Sequence, residues 1–318
     1  MSHWLPASPC TPPGCAVHAG PARHPIPAAA LLLAGCALTL AGVLCAPLAL
    51  SLTGGARRER LIRCWAHAVL RAFGVGVRIT GPPAVRGGTS VVPITGSPAV
   101  RGGAAGTGGG LPGGPAGAVG IRAGTPGVLV VANHVSWLDV PLVAAVCPGR
   151  MLAKSDIRRW PVLGPLAALG GTLFVERERL RSLPATVRSL ASALRGGARV
   201  VVFPEGSTWC GRGPGGRFRP AAFQAAIDAG AAVQPLRIRY LGGPPDHRAP
   251  AGAAAFVGDD PLTASLWRVV RAAGLTAEIR VLAPIPAGAV PGRRELARLA
   301  QSTVASDSAN LPAASVHH

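Results

Sequence analysis

The hydrophobic pattern separates an apolar N-terminal part from a later part in which strand and helix patterns alternate. Residues 26–52 carry no charge and are long enough to span a bilayer, which takes about 20 apolar residues. In residues 56–73 the apolar positions recur at intervals of three and four, which predicts an amphipathic helix with an arginine-rich opposite face. That helix would lie on anionic headgroups or pack on its own domain. Residues 75–81 then predict a short strand.

Two segments lack such periodicity. Residues 82–126 are mostly Gly, Pro, Ala and Ser, and PAVRGG occurs there at 83–88 and again at 98–103. This duplication predicts a lengthened, disordered insert without chemistry. Residues 1–25 are rich in Pro, Ala, His and Cys and are also predicted to be disordered, while residues 286–318 are expected to form a C-terminal tail.

Residues 127–285 have the pattern of an α/β domain. Predicted strands cover 128–133, 171–176, 199–204, 232–240, 253–258 and 278–284, and predicted helices cover 137–146, 181–195, 220–230 and about 261–273. This alternation favours a mainly parallel sheet flanked by helices. The predicted fold class is therefore α/β, preceded by an N-terminal membrane helix and an amphipathic helix.

The net charge of the chain indicates that it binds negatively charged partners. The 318 residues include 32 Lys and Arg against 13 Asp and Glu, which gives a net charge of +19, and Lys154 is the only lysine. So basic a surface attracts polyanions such as nucleic acid, anionic lipid headgroups or an acidic carrier protein. The arginines are scattered, and no nucleic-acid-binding motif or aromatic stacking platform is visible, so no nucleic-acid partner is expected. The alternative is a non-catalytic protein that uses its charge to bind a membrane surface or nucleic acid.

The flanks of the apolar run predict its orientation. Arg23 closely precedes the run, whereas a cluster follows it: Arg57, Arg58, Arg60 and Arg63. Positive flanks stay in the cytoplasm, so we expect a membrane protein whose main α/β domain faces the cytoplasm. The alternative, a cleaved signal peptide, has an apolar region of about 7–15 residues, which this run exceeds.

The seven cysteines give no recognisable site. Their number is odd, their spacing is irregular and no CxxC pair occurs. The sequence therefore predicts neither a zinc site nor a disulfide framework, and it favours a reducing compartment.

The candidate chemistry begins at NHVSWLD, residues 133–139. On one continuous helix His134 and Asp139 would point about 140° apart, but the predicted boundary between a strand and a helix lets them meet. Asp139 could then bind one ring nitrogen and leave the other to accept a proton, as in a general base. Ser136 lies between them and suggests a serine triad as an alternative. A metal site would need a further ligand, and none is convincing.

Three later segments make this pair part of a larger pattern. The chain resembles the glycerolipid acyltransferase family, which includes the lysophosphatidic acid acyltransferases, over roughly residues 56–285. NHVSWLD resembles the family's NHxxxxD motif, GTLFVER (171–177) its GxxFVxR motif and FPEGS (203–207) its FPEGT motif, while Pro235 stands at its proline-centred block. Lys154 fills a basic position ahead of the second motif.

The resemblance implies transfer of a fatty acyl group to the hydroxyl of a lysolipid. The expected acceptor is 1-acylglycerol-3-phosphate, which would give phosphatidic acid, and the donor would be a thioester of coenzyme A or of an acyl carrier protein. His134 and Asp139 would be catalytic, and no cofactor or metal is expected. The implied substrate-binding residues are Asn133, Lys154, Gly171, Phe174, Arg177, Phe203, Pro204, Glu205, Gly206 and Ser207.

Within that set, three residues have more specific expected roles. Arg177 would bind an anionic headgroup, because a guanidinium matches phosphate geometry. Backbone amides near Gly206 could approach the developing oxyanion. Glu205 would have a structuring or acceptor-binding role.

The third motif departs from the family pattern. Thr208 stands where the family usually has an arginine that helps to hold the acceptor phosphate. Either Arg212, Arg217 or Arg219 replaces that cation, or the acceptor lacks a glycerol phosphate. A lyso-ornithine lipid is therefore the alternative acceptor.

Overall fold

The computed structural model describes residues 8–18, 20–84, 126–161, 163–176, 179–213, 215–244 and 247–306. Arg177 and nearly all of the predicted insert at 82–126 lie outside these ranges.

The secondary structure follows the predicted alternation. Within the described residues the helices are α1 Pro12–Cys15, α2 Pro25–Leu52, α3 Gly55–Ala72, α4 Asp139–Val146, α5 Leu163–Leu169, α6 Leu183–Arg195, α7 Ala221–Ala229, α8 Leu262–Arg271 and α9 Arg293–Ser306. The strands there are β1 Gly76–Thr80, β2 Val128–Ala132, β3 Arg150–Lys154, β4 Leu173–Val175, β5 Arg199–Val202, β6 Ala232–Gly242, β7 Ala249–Pro250 and β8 Thr276–Val281.

These strands form one sheet, and its order is β1-β8-β6-β2-β5-β3-β4, with β7 beside β6. The pairs β6–β2, β2–β5, β5–β3, β3–β4 and β1–β8 are parallel, while β8 and β7 run antiparallel to β6. The predicted class, a mainly parallel sheet flanked by helices, is confirmed. Because the five neighbouring strands β6, β2, β5, β3 and β4 are mutually parallel, their carboxyl ends share one edge, where α/β proteins bind ligands.

The central strand β2 is buried on both faces, so its apolar run is continuous rather than alternating. Val128 and Val130 belong to a core with α3, α4 and α8, whereas Leu129 and Val131 belong to a second core with α6, α7 and α9. The sheet is thus a central layer between two layers of helices.

One predicted strand is wrong. Residues 253–258 do not join the sheet: Gly252–Ala254 form a turn of 3₁₀ helix, and a loop follows. In that loop the Phe256 amide donates to the Val135 carbonyl oxygen at 3.0 Å. The apolar run reflects burial of a loop against the catalytic segment, and periodicity alone cannot distinguish this from a buried strand. Conversely, β3 was not predicted.

The expected C-terminal tail is also corrected, because it contains α9. Leu296 and Ala300 on this helix are fully buried in the second core. Arg237 on β6 donates to the Val304 carbonyl oxygen at 2.7 Å, at the end of α9. The amphipathic pattern of residues 293–306 indicates a helix with one buried face. This helix completes the helical layer next to α7.

The described part of the predicted disordered N-terminus is packed against the domain. The Arg23 guanidinium donates to the carbonyl oxygens of Val270 and Ala272, at 2.8 and 2.7 Å, where α8 ends. It also donates to the Gly74 carbonyl oxygen at 2.9 Å. Arg23 therefore caps α8, since a cation suits the negative end of a helix.

Helices α2 and α3 pack closely as an antiparallel pair. A Cβ atom at Gly35 would lie 2.5 Å from the Phe73 ring, and one at Gly42 would lie 2.2 Å from the Trp65 indole. The Trp65 indole N–H donates to the Leu38 carbonyl oxygen at 3.2 Å. Two glycines seven residues apart thus let aromatic rings of α3 approach the α2 backbone.

The opposite face of α2 stays open. Its exposed residues include six large apolar side chains, those of Ile26, Leu33, Leu40, Leu44, Leu48 and Leu52. By length and composition, the stretch Pro25–Ala49, with a mean hydropathy of 2.3, could cross a membrane. Helix α2 is therefore a candidate membrane anchor that also packs on the α/β domain.

Candidate active site

The candidate site lies at the carboxyl ends of β2 and β5, which are parallel neighbours. Residues 133–138 connect β2 to α4, and Asp139 is the first residue of that helix. The strand–helix boundary expected from the sequence therefore falls between His134 and Asp139. The turn brings their side chains together as a continuous helix could not.

His134 is hydrogen-bonded to Asp139, with 2.7 Å between Nδ1 and Oδ2. The same carboxylate oxygen accepts the amide N–H groups of Val135 and Ser136 at 2.7 and 2.9 Å. The other oxygen, Oδ1, accepts the Tyr240 hydroxyl at 2.6 Å. Asp139 is fully buried, and these four donors satisfy it as an anion.

This arrangement prepares His134 to act as a base. With an ionised Asp139 on Nδ1, that nitrogen carries the ring proton, and Nε2 is left with its lone pair. Among the described residues no protein atom is hydrogen-bonded to Nε2, and the His134 side chain keeps 19% of its surface exposed. A hydroxyl that reaches Nε2 could lose its proton there.

The first residue of the third motif supports the imidazole from one side. The ring of Phe203, just after β5, stacks on the His134 ring with centroids 4.1 Å apart and planes inclined by 11°. Since β5 and β2 are in parallel register, the residues that follow each strand meet at the same edge of the sheet.

Glu205 joins the first and third motifs. Its Oε2 accepts the His134 amide at 2.7 Å, and its Oε1 accepts the Gly216 amide at 3.0 Å. The side chain is buried, and burial raises the pKa of Glu205 from 4.5 to about 8, although the two backbone hydrogen bonds lower it and nearby Asp139 raises it further. Gly215 leaves room for the carboxylate, since a Cβ there would lie 2.5 Å from Oε1. The geometry gives Glu205 a structuring role.

The next two residues differ in what they offer a substrate. The Gly206 amide donates to the Phe203 carbonyl oxygen at 3.1 Å within a tight turn, and its φ of +76° suits glycine. This amide is therefore engaged in the turn. The Ser207 hydroxyl is buried and has no hydrogen-bond partner among the described residues, so it can donate to a bound group.

Asn133 and Pro204 hold backbone together. The Asn133 amide donates to the Ile238 carbonyl oxygen at 2.9 Å, and its oxygen accepts the Ile238 amide at 2.8 Å. It thus extends the pairing of β2 with β6 by one residue. The Pro204 carbonyl oxygen accepts the Arg219 amide at 2.8 Å. Both residues, expected to bind substrate, are seen to position the loops around His134.

The second motif lies farther along the same sheet edge. Phe174 on β4 pairs with Ala153 on β3, and Lys154, the exposed last residue of β3, pairs with Val175. The Arg158 guanidinium lies 4.8 Å from the centre of the Phe174 ring. Arg158 adds a cation to this edge that the sequence did not single out.

Gly171 and Arg177 are the first and last residues of the second motif. Gly171 has a φ of +66°, and its carbonyl oxygen accepts the Arg150 Nε–H at 2.7 Å, so it shapes the turn before β4. Arg177 lies outside the described residues, and its headgroup-binding role stays a prediction.

Sequence reasoning missed Tyr240, which comes from β6 and is distant in sequence from Asp139. It is fully buried, and burial together with the Asp139 carboxylate raises its pKa well above the ordinary value. The hydroxyl therefore stays a neutral donor to Asp139. A lone tyrosine on a buried strand was the only available signal, since it is the single tyrosine of the chain.

Thr208, which replaces the expected arginine, faces the 252–258 loop. Its hydroxyl donates to the Phe256 carbonyl oxygen. The following residue, Trp209, donates its amide to the His134 carbonyl oxygen at 2.8 Å. Thr208 therefore supplies no cation to a substrate, and its hydroxyl binds the neighbouring loop. The third-motif loop supports the backbone of His134 through the Trp209 amide.

Comparisons with known proteins agree with this geometry. A family model described as Acyltransferase matches residues 120–239, which include the first, second and third motifs. The lyso-ornithine lipid O-acyltransferase of Pseudomonas aeruginosa is 42% identical over 178 residues, which cover 56% of this chain and 66% of the relative. The 1-acyl-sn-glycerol-3-phosphate acyltransferase of Neisseria gonorrhoeae is 38% identical over 169 residues, 51% of this chain and 64% of the relative.

A third relative extends the coverage. The lyso-ornithine lipid O-acyltransferase of Brucella abortus is 33% identical over 189 residues, 56% of this chain and 69% of the relative. This chain therefore spans roughly two thirds of the length of these relatives, just under that share for the first two.

The fold also has a solved counterpart. The crystal structure of the 1-acyl-sn-glycerophosphate acyltransferase of Thermotoga maritima superposes with a TM-score of 0.58. The match covers 91% of this chain and 97% of that one, at 17% identity. At that identity the likeness shows the fold alone.

Proposed function

Because the chain belongs to the acyltransferase family, we propose that it moves a fatty acyl group from a thioester to the hydroxyl of a lysolipid. The observation that carries this proposal is the contact of 2.7 Å between His134 Nδ1 and the buried carboxylate of Asp139. It sets the ring proton on Nδ1 and leaves Nε2 as a base at the exposed edge of the site.

The proposed reaction needs no covalent acyl-enzyme. His134 Nε2 takes the proton from the acceptor hydroxyl as that oxygen attacks the thioester carbonyl carbon. The new C–O bond forms, and the carbonyl oxygen becomes an oxyanion. Asp139 stabilises the imidazolium that results, because its anion is fixed by four donors.

Collapse of the tetrahedral intermediate breaks the C–S bond. The leaving thiolate takes the proton back from Nε2, so the products are an ester and a free thiol and His134 is regenerated. The Ser207 hydroxyl, buried without a partner, is the described side chain of the third motif that could donate to the oxyanion. Ser136 is not a nucleophile in this scheme, because it is fully buried and its hydroxyl accepts the Leu138 amide at 3.3 Å.

Two acceptors remain candidates, and one observation ranks them. The motifs favour 1-acylglycerol-3-phosphate, whose phosphate would need a cation near the third motif. Thr208 supplies none and is engaged with Phe256. Lyso-ornithine lipid has no phosphate, so the threonine at position 208 favours it as the acceptor, in keeping with the name of the relative from Pseudomonas aeruginosa.

We further propose that the enzyme works at a membrane, with the catalytic domain on the cytoplasmic side and α2 in contact with lipid. The open apolar face of α2 and the arginines that follow it support this placement. The donor would be a thioester of coenzyme A or of an acidic acyl carrier protein, both of which a net charge of +19 attracts.

The test supplies purified protein with a labelled acyl thioester and, in parallel, lyso-ornithine lipid, lysophosphatidic acid and lysophosphatidylglycerol. His134→Ala should lose activity on every acceptor while it keeps the wild-type melting temperature. His247→Ala, in an exposed loop, is the matched control and should behave as wild type.

Full transfer by a folded His134→Ala protein would refute the proposed base. A preference for lysophosphatidic acid would overturn the acceptor ranking and leave the transferase class intact.

A further inference from the structure

Three thiols from distant parts of the chain converge beside the third-motif loop. Cys10 and Cys15 belong to the N-terminal segment around α1, and Cys210 follows Ser207 by three residues. Their Sγ atoms all lie within 4.8 Å of one another, and each residue is partly buried. The proposed acyl transfer uses none of them.

The fold builds this meeting point. The segment with Cys15 is held by Arg212, which donates to the Cys15 carbonyl oxygen at 3.0 Å. Ala255 and Val257 are buried beneath the thiols in a separate small apolar cluster. A Cβ at Gly252 would lie 2.4 Å from the Cys15 carbonyl oxygen, so the backbones pass too closely for any other residue.

We propose that Cys10, Cys15 and Cys210 bind a divalent ion of the zinc class that ties the N-terminal segment to the third-motif loop. Zinc–thiolate bonds of about 2.3 Å place tetrahedral sulfur atoms about 3.8 Å apart, within the span of this cluster. Each thiol releases its proton to solvent when the ion binds. Because the thiols are partly exposed, water can fill the fourth position.

The chemistry of the site favours a metal over a disulfide. A disulfide joins two sulfur atoms and leaves the third thiol unused, whereas here all three lie together. Thiolates are the soft ligands that select zinc among the common divalent ions. In the reducing compartment proposed for the catalytic domain, clustered cysteines serve metal binding more often than structural disulfides.

The ion would act on the active site through one short path. Cys210 follows Trp209, whose amide donates to the His134 carbonyl oxygen at 2.8 Å. An ion bound to Cys210 would therefore restrain the loop whose Trp209 amide binds the His134 backbone. The ion has a positioning role and stays apart from the reacting atoms, so the site does not depend on which lysolipid is the acceptor.

The experiment measures metal content in full-length protein purified in reducing buffer without chelator. Zinc should be present at about one equivalent per chain, because the three thiols form a single site. Cys210→Ser should lose it, and Cys10→Ser and Cys15→Ser should lose it too. Cys64→Ser, an exposed cysteine on α3, is the matched control and should keep it.

A second readout uses cobalt in place of zinc. Wild type and Cys64→Ser should show a thiolate-to-cobalt charge-transfer band in the near ultraviolet, and Cys210→Ser should not. A chelator should lower the melting temperature of wild type and leave that of Cys210→Ser unchanged.

Three results would overturn the proposal. They are wild-type protein that takes up no zinc or cobalt, a folded Cys210→Ser protein that binds metal as wild type does, and a disulfide to Cys210 in peptides mapped from protein purified without oxidant. None of them bears on the proposed acyl transfer, which is tested at His134.

Discussion

At the scale of residues, the candidate site depends on two buried carboxyl groups with different tasks. Asp139 gathers donors from its own turn and from β6, and it orients His134. Glu205 accepts the backbone amides of His134 and Gly216, so it joins the two loops that carry the motifs. One carboxyl group serves the chemistry, and the other holds its framework.

The hydroxyl of Tyr240 should tune this base. Tyr240→Phe removes the donor at 2.6 Å from Asp139 Oδ1 and leaves the other three in place. The charge of the carboxylate is then stabilised by one donor fewer, so the carboxylate attracts the protonated imidazole more strongly. We expect the acid limb of the kcat/KM pH profile to move to higher pH and kcat to fall by about tenfold.

The measurement is a pH–rate profile with the preferred acceptor. A structural role for Tyr240 alone would lower the melting temperature and leave the position of the acid limb unchanged, which would contradict this prediction.

Glu205 should make stability depend on pH. Glu205→Gln keeps the shape of the side chain but turns one acceptor into a donor that faces an amide, which should cost about 1–3 kcal/mol. The raised pKa of about 8 means that the folded protein holds a proton that the unfolded chain releases above pH 4.5. The stability gained in this way is complete below pH 4.5 and is lost as the pH rises through about 8.

The glutamine side chain does not titrate. The amount by which Glu205→Gln is less stable than wild type should therefore be largest near pH 4.5 and should decrease towards pH 8. Melting temperatures of both proteins across this range measure it. Glu295→Gln, at an exposed position on α9, is the control. A deficit that is constant or grows with pH would show that Glu205 is ionised throughout.

At the scale of elements, α9 and α2 show how helices complete the domain. Helix α9 closes the layer over α7 with one buried stripe, and Arg237 of β6 binds its last carbonyl groups. Helix α2 packs closely, through Gly35 and Gly42, against the aromatic rings of Phe73 and Trp65 in and just after α3. A row of leucines on its other face is exposed. The first helix belongs to the folding unit, and the second also offers a surface to lipid.

Truncation of one buried leucine should show the part that α9 has in stability. Leu296→Ala removes a fully buried side chain and should cost about 2–5 kcal/mol, because a cavity remains between α9 and α7. Leu299→Ala, on the same helix with 36% exposure, should cost about 0.5 kcal/mol or less.

Denaturant unfolding of the two variants checks this. If α9 were a peripheral tail, both substitutions would have equally small effects.

At the scale of the whole molecule, an apolar face and a strong positive charge lie together near the N-terminus. The open face of α2 offers hydrocarbon contact, and the arginine-rich α3 follows it. Salt screens charge attraction but not apolar burial, so the two contributions can be separated.

Replacement of Leu40, Leu44 and Leu48 by serine should weaken vesicle binding by more than about tenfold, since a buried leucine contributes about 1.5–3 kcal/mol. On vesicles that contain anionic lipid, the binding of wild type should also fall as salt rises. Cosedimentation measures both effects. Leu299→Ser is the control for an apolar side chain elsewhere, and equal binding by the triple variant would exclude α2 as the lipid contact.

The sequence by itself determined whatever depends on local pattern. The strand–helix alternation, the buried β2 and the helix ends at glycine follow from periods of two and 3.6 residues and from turn chemistry. The turn that joins His134 to Asp139 is local as well, since the two residues are five positions apart. For the same reason the three motifs could be read in order along the chain.

Only the tertiary structure decided what depends on partners distant in sequence. Tyr240 reaches Asp139, the 253–258 run becomes a loop over the third motif and three cysteines meet, because sheet order and layer packing bring those segments together. An apolar or polar residue carries no record of which distant segment it will face. The sequence therefore determined most of the elements and the proposed base, and the packing decided which groups hold that base in place.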